Sequence, residues 1–372
     1  MQKKILILSE PFGLGHTKVA EGIAQRISMY DSSVDIKIME LGSVLKPFVT
    51  SVFVHSYQKL STQLPSLWRK LYHFQQHQPV SISLQNFIYQ LFHRKIEDLL
   101  EQYNPDLVIC THPFCSSTVA RKKRLGFDVK QCTIVTDCFA HGIWVQPEVD
   151  LYFVPTQDVK GQIMNMGIPS NRINVTGIPV DPKFSSNENK HQVRKRLSLN
   201  EQLPTVLIMG GGLGLGGIPE ITKILSKWKE KLQIIVCTGK NDKLKDSLLN
   251  NKDLLHSNIN ILGYTEDVDQ WMGAADLLIT KPGGSTCFEA ISKGVPLLIY
   301  QPLLGHEEEN CQFFVNQGLA IKLSDDAMID DYIYKLLYDP DDINRVRDKI
   351  SQFQQKLDPQ RSVKSIVDLI YQ

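Results

Sequence analysis

The chain of 372 residues carries 41 basic and 40 acidic side chains, a formal net charge of +1, and is 42% hydrophobic. That length exceeds one ordinary compact domain and suits two, and so even a charge balance supplies no field for a polyanion, which excludes nucleic acid as an expected partner. The seven cysteines are odd in number, lack C-x-x-C spacing and lie mostly in apolar runs, so they read as reduced, buried side chains of a cytoplasmic protein.

The charge is not evenly spread. Residues 1–180 hold 18 basic against 14 acidic side chains, leaving 23 against 26 for the remainder, and seven of the ten histidines fall in the first part. No amino-terminal charged segment leads into an apolar core, and no apolar run is long enough to span a bilayer. Membrane contact, if required, is expected to be peripheral.

The first elements are the strand and helix of "ILILSEPFGLGHTKVAEGIAQRI". Ile5 to Leu8 read as a buried strand, and Val19, Ala20, Ile23 and Ile27 recur at helical spacing from a start near His16. A dinucleotide fingerprint would read G-x-G-x-x-G. Here Gly13 and Gly15 are followed by His16, and the third glycine is missing. A loop that places two glycines before a histidine at a strand end is built to present an imidazole more than to hold a phosphate.

The segment from Leu45 to Tyr72 follows, with Leu45, Phe48, Val49, Val52, Phe53, Tyr57 and Leu60 at helical spacing and Leu64, Leu67, Trp68, Leu71 and Tyr72 beyond a break before Pro65. A core helix would account for the spacing. The same stretch also carries Lys46, Lys59, Arg69 and Lys70 and no acidic residue, the composition of a helix lying in an anionic membrane interface.

Strand-like runs then alternate with helical ones: "KILIL", "DIKIM", "DLVICT", "QCTIVT", "LYFVP" and "INVTG" in the first half, "TVLIMG", "LQIIVCTG", "INILG", "DLLIT" and "VPLLIY" in the second. Several are continuously apolar, as strands covered on both faces are. The predicted fold class is α/β: two Rossmann-like, doubly wound parallel-sheet domains facing across a cleft. The boundaries read as residues 1–180 for the first domain, a polar linker over 181–204 ending in a short basic helix, a second domain over 205–355, and a carboxyl-terminal helix over 356–372.

Three loops of the second half point to one ligand type. In "MGGGLGLGGIPEI" a strand ends at Met209, glycines run from Gly210 to Gly217, and Pro219 opens a helix, the makings of an amide-lined anion nest. In "LLITKPGGSTCFEAISKG" a strand ends at Thr280, Pro282-Gly283-Gly284 turn, Ser285 and Thr286 start a helix and Glu289 follows on its first turn. Glu289 can bind a ribose diol, or it can serve Thr286 in a capping box. In "YQPLLGHEEENCQFF" His306, Glu307, Glu308 and Asn310 crowd one loop and suit sugar hydroxyls, although a solvated acidic helix start has the same composition.

These stretches, together with "VTDCFAHGIWV", "VTGIPVDPKF" and "GYTEDVDQWMGAADLLITKPGGSTCFEA", resemble the family of monogalactosyldiacylglycerol synthases and processive diacylglycerol glucosyltransferases over most of the chain. The resemblance implies a GT-B fold with an acceptor domain first and a UDP-sugar domain second. Carried over residue by residue, it implies that Glu289 holds the ribose, Gly210, Gly211, Gly212 and Gly214 with Ser285 the diphosphate, backbone at Tyr264 the uracil, and Glu307, Glu308 and Asn310 the sugar. Pro282, Gly283 and Gly284 complete the donor set. Gly15, His141 and Trp144 would lie on the acceptor side. Cys138 departs from the phenylalanine usual after the aspartate of the "TD" pair.

The implied reaction inverts the anomeric centre of a hexose from UDP-glucose or UDP-galactose, on the hydroxyl of diacylglycerol or a glycosyl-diacylglycerol at an anionic membrane surface on the cytoplasmic side. His16 is the candidate base, and Asp137 its rival or partner in a proton relay. No cofactor is expected. No metal is expected either, since Asp267-Val268-Asp269 and Asp339-Pro340-Asp341 sit where aspartates cap helices and glycine amides can stabilise departing UDP instead. A UDP-sugar 2-epimerase, a transferase for another lipophilic acceptor and a non-catalytic UDP-sugar sensor are the alternatives.

Overall fold

A computed structural model describes residues 2–63, 81–186, 188–302 and 305–372. The chain forms two compact units. The first comprises residues 1–182, 304–306 and 357–372, and the second residues 183–303 and 307–356.

The first unit opens with β1 (Lys4–Ser9), α1 (Leu14–Tyr30) and β2 (Asp35–Glu40), then turns helical through α2 (Leu41–Leu45), α3 (Pro47–Gln63), α4 (Ile82–Ile88), a π-turn at Tyr89–His93 and α5 (Ile96–Tyr103). It continues with β3 (Leu107–Cys110), α6 (Pro113–Arg124), β4 (Lys130–Ile134), β5 (Leu151–Val154), α7 (Gln157–Asn165) and β6 (Ile173–Val175). All pairings are parallel, in the order β2-β1-β3-β4-β5-β6. Ile5 to Leu8 and Leu107 to Cys110 are completely buried, because α-helices cover both faces of a sheet wound this way.

The second unit begins with α8 (Lys190–Arg196), then runs β7 (Thr205–Met209), α9 (Ile218–Leu225), β8 (Gln233–Cys237), α10 (Asp242–Leu249), β9 (Ile259–Leu262), α11 (Val268–Ala274) and β10 (Leu277–Thr280). After these come α12 (Gly284–Lys293), β11 (Leu297–Ile299), α13 (His306–Asn316), β12 (Ala320–Lys322), α14 (Asp326–Tyr338) and α15 (Asp341–Gln354). Its parallel sheet has the order β12-β11-β10-β7-β8-β9, the order of dinucleotide-binding domains. The edge strand β12 was not among the expected strands. With three residues and a single buried one it carries too little apolar signal to be read from sequence.

The polar stretch expected to link the domains is folded into the second unit. Arg194 is buried, and its guanidinium donates to the Ala274 carbonyl (3.0 Å) and to Asp276 (2.5 Å), which Lys190 also reaches at 2.7 Å. Against a burial that would raise it, Lys190 and Arg194 hold the Asp276 carboxyl below its ordinary range. The final helix, α16 (Pro359–Tyr371), belongs to the first unit, where the Tyr371 hydroxyl donates to Asp31 at 2.9 Å and Lys130 donates to the Leu369 carbonyl at 2.8 Å. All seven cysteines are buried thiols. Among the described residues no helix is long and apolar enough to cross a membrane.

Candidate active site

In each sheet two neighbouring strands send their following connections in opposite directions, and the crevice at their carboxyl ends is where open α/β sheets bind ligands. In the first unit those strands are β1 and β3. Gly13 precedes α1 with φ +142°, a conformation closed to other residues, and it sets the first turn so that His16 is its third residue. The helix therefore starts two residues before the position expected from periodicity.

His16 is half-buried, with its Nδ1 2.9 Å from the Thr111 carbonyl at the end of β3 and 2.9 Å from the Thr136 hydroxyl after β4. A carbonyl has no proton to give. The hydrogen must therefore sit on Nδ1, and Nε2 carries the basic lone pair. Asp137 is half-buried and adjoins Thr136, three residues beyond the end of β4.

The ring of His112 stands edge-on to His16, 4.6 Å between centroids, and its Nδ1 accepts from the Phe114 N–H at the start of α6. Burial, with the His16 and His93 imidazoles beside it, pushes His112 well below the ordinary histidine range, so it is neutral. Phe12 lies 5.1 Å from His112, 5.5 Å from Phe53 and 5.5 Å from Phe114, which gives the crevice an aromatic wall. Behind it, the fully buried His93 of the π-turn bonds Glu10 (2.6 Å) and the Thr118 hydroxyl (2.7 Å).

His141 caps the short turn Gly142–Trp144, accepting from the Ile143 N–H. Trp144 is only 2% exposed and packs with Val135, Val149, Tyr152 and Val154, its ring 6.4 Å from His16. It stands behind the His16 ring as a core side chain. Gly15 is the second residue of α1.

In the second unit the divergent strands are β7 and β10, held in register as Thr280 opposite Met209 and tied by the Thr280 hydroxyl donating to the Met209 carbonyl at 2.8 Å. The glycine loop and the Pro282 turn thus emerge side by side, with the loop after β11 next to them. A Cβ on Gly210 would stand 2.2 Å from the Leu215 carbonyl oxygen, so only glycine fits there. Within the loop the Gly214 amide donates to the Gly211 carbonyl and the Leu215 amide to Gly210. The Gly214 N–H is thus spent within the loop, while Gly211 and Gly212 belong to its short turn Gly211–Leu213.

The helix α12 is capped by Gly283, with no side-chain cap, so Gly284, Ser285 and Thr286 occupy its first turn. This overturns the capping-box reading of Thr286 and Glu289. Glu289 lies in the second turn, beyond reach of that role, and is half-buried. Pro282 is buried and its carbonyl accepts from the Asn310 amide at 3.1 Å. Asn310 is completely buried, and its amide braces the Pro282 turn. Glu307, 1% exposed, is ion-paired with Lys281, while Glu308 is half-buried on the first turn of α13, where carboxylates are favoured by the helix dipole. Tyr264 follows β9 and is 44% exposed, with the Lys240 ammonium 5.3 Å from the centre of its ring.

Comparison with known proteins decides what this pair of crevices belongs to. The family model described as monogalactosyldiacylglycerol (MGDG) synthase matches residues 16–180, and that of the glycosyltransferase family 28 C-terminal domain matches residues 205–360. The processive diacylglycerol beta-glucosyltransferase of Bacillus pumilus is 30% identical over 372 residues, covering 98% of this chain and 95% of that protein. The protein of that name from Bacillus subtilis is 30% identical, covering 94% and 90%. The chain belongs to the monogalactosyldiacylglycerol synthase and processive diacylglycerol glucosyltransferase family. Among solved structures, Anabaena Alr3699/HepE in complex with UDP-glucose superposes with a TM-score of 0.58 at 14% identity, covering 99% of both chains. The S. aureus MnaA-UDP structure gives 0.62 at 13% identity, covering 100% of this chain and 98% of that one. These likenesses establish the GT-B fold of this glycosyltransferase.

Several groups at the glycosyltransferase's two crevices were missed by sequence reasoning. Thr111, His112 and Thr136 follow β3 and β4 within two residues, and polar side chains at the carboxyl ends of buried strands were the signal available for them. Glu10 and Lys281, each one residue beyond a buried strand, carried the same signal, whereas His93 had none, because it acquires its partners Glu10 and Thr118 from distant stretches of chain.

Proposed function

We propose that this glycosyltransferase moves a hexose from UDP-glucose or UDP-galactose, with inversion, to the hydroxyl of diacylglycerol or a glycosyl-diacylglycerol. The observation that best supports this is the His16 ring, fixed by the Thr111 carbonyl so that Nε2 is the proton acceptor. As the acceptor oxygen bonds to the anomeric carbon, its proton passes to Nε2, and the bond to the β-phosphate oxygen breaks with its electron pair leaving on UDP. Gly211, Gly212 and the uncapped amino terminus of α12 would meet the developing charge. Glu289 would accept from the ribose hydroxyls, and Asp137 would orient the relay.

The lipid acceptor is supported by the names of the relatives and by the surface of the first unit. On α3, Val49 and Phe53 pack against Ile88, Phe92 and Ile143, so one side of this helix is core as the bland reading expected. The adjoining side is exposed and apolar: Phe48 is 80% and Val52 51% exposed, with Val44, Ile82 and Phe87 also open on α2 and α4. Such side chains beside Lys46 suit a peripheral association with the cytoplasmic face of an anionic membrane. Arg69 and Lys70 lie outside the described residues, as does the side chain of Lys59.

Incubation of the purified protein with each UDP-hexose and diacylglycerol vesicles tests the proposal, with glycolipid and UDP as the expected products. An epimerised UDP-sugar with no glycolipid would replace it with an isomerase, and tight UDP-sugar binding without turnover would replace it with a sensor.

A further inference from the structure

Lys281 is the one residue between Thr280, which ties β10 to β7, and the Pro282 turn, and it has no role in the reading above. Its stem lies across the glycine loop: a Cβ on Gly211 would stand 3.0 Å from Lys281 Cε, and one on Gly216 would stand 3.4 Å from Lys281 Cβ. Its ammonium is ion-paired with Glu307 of α13. The two partners are unequally placed, the Lys281 side chain being 19% exposed and that of Glu307 1%. Burial pushes the thiol of Cys287 upward, and Glu307 opposes Lys281 in the field it feels.

A buried carboxylate normally cannot give up its cation without a large penalty. Glu307 is an exception in kind, because it stands on the first turn of α13 and the positive end of that helix supports it as well. Lys281, on a flexible four-carbon stem, is free to exchange partners when a stronger one arrives. A diphosphate bears more charge than one carboxylate and would sit on the loop the lysine already crosses.

We propose that Lys281 is the cation of the diphosphate subsite, parked on Glu307 in the empty protein and transferred to the phosphates when a nucleoside diphosphate or its sugar ester binds. This rests on the donor-site reading of the second unit. Glu307 thereby acts as the positioning residue that keeps the ammonium over the glycine loop, and Lys281 takes no proton in the reaction.

Calorimetric titration of uridine and UDP into the full-length protein tests the exchange. For Lys281→Gln, UDP affinity should fall about tenfold or more while uridine affinity stays the same, and Lys281→Arg should restore most of the loss. In Glu307→Gln the competitor for the ammonium is removed, so the ratio of UDP to uridine affinity should rise about threefold. An unchanged ratio in Lys281→Gln, or in Glu307→Gln should the lysine variant fail to fold, would overturn the proposal for Lys281 alone. A wild-type protein that binds neither uridine nor UDP would instead overturn the donor-site reading with it.

Discussion

The two sheets are both parallel and six-stranded, yet the surroundings of their divergent strands have little in common. Beside β7 and β10 the chain offers main chain: glycines packed too closely for any side chain, a helix start without a side-chain cap, and one lysine laid over them. Beside β1 and β3 it offers rings: His16, His112, Phe12 and Phe114, with a buried Glu10–His93 pair behind. Fixed amide dipoles suit an anion that must be held and released, whereas a proton must be taken by a titratable side chain held in one tautomer. The sheets also differ on their far sides. In the second unit β8 and β9 extend the sheet beyond β7, but in the first only β2 lies beyond β1, and the chain from Leu41 to Tyr103 is given to helices where the structure describes it. The difference teaches that one architecture can carry main-chain amides at the divergent strands of one sheet and rings beside an exposed apolar surface at those of the other, which are the features the proposed donor and acceptor roles require.

The strongest way to break this comparison is to remove the ring. His16→Ala should lower the transfer rate on the order of 100-fold to 10,000-fold while leaving UDP affinity nearly unchanged. Steady-state turnover and calorimetry on the same preparation check it; a variant that kept most of its activity would pass the role of base to Asp137. Next in size is the loss of a donor-side carboxylate: Glu289→Ala should weaken UDP binding by about 1.5–3 kcal/mol, and Glu289→Gln by less. Normal UDP binding in both variants, measured by calorimetry, would remove Glu289 from the nucleotide site.

A smaller effect is expected at the apolar surface. Replacing Phe48 and Val52 together by serine should weaken sedimentation with phosphatidylglycerol vesicles by about tenfold, roughly 1.4 kcal/mol, with transfer to a short-chain, detergent-dispersed acceptor preserved. Unchanged vesicle binding by the folded double variant would place the membrane contact elsewhere. Smallest of all should be the response to chelation, because charge at the second crevice is proposed to be met by amides and Lys281. Activity in EDTA should equal that without it, and a loss restored by magnesium or manganese would show that those groups are insufficient.

Much of this fold was legible because continuous apolar runs such as Ile5 to Leu8 and Leu277 to Ile279, bounded by turn residues, read as strands covered on both faces, and the glycines that shape the loop after β7 are written locally in Gly210 to Gly217. Local composition also misled where the partner was remote. The polar stretch after Asp181 reads as a linker until Arg194 meets Asp276, 82 positions away, and a capping box stays open as the alternative for Glu289 until α12 is seen to start at Gly284.

The sequence by itself determined the alternation of strand and helix, the division into two sheets and the residue types available at their strand ends, since backbone pattern and glycine freedom act within a few residues. Only the tertiary structure decided which groups meet. The Thr111 carbonyl that fixes the tautomer of His16 comes from 95 positions away, Asn310 reaches back to the Pro282 carbonyl, and Lys281 is ion-paired with Glu307, 26 positions on. Hydrogen bonds and ion pairs fall off within a few ångströms, so their partners are chosen by how the strands are ordered in the sheet, which no short stretch of sequence records.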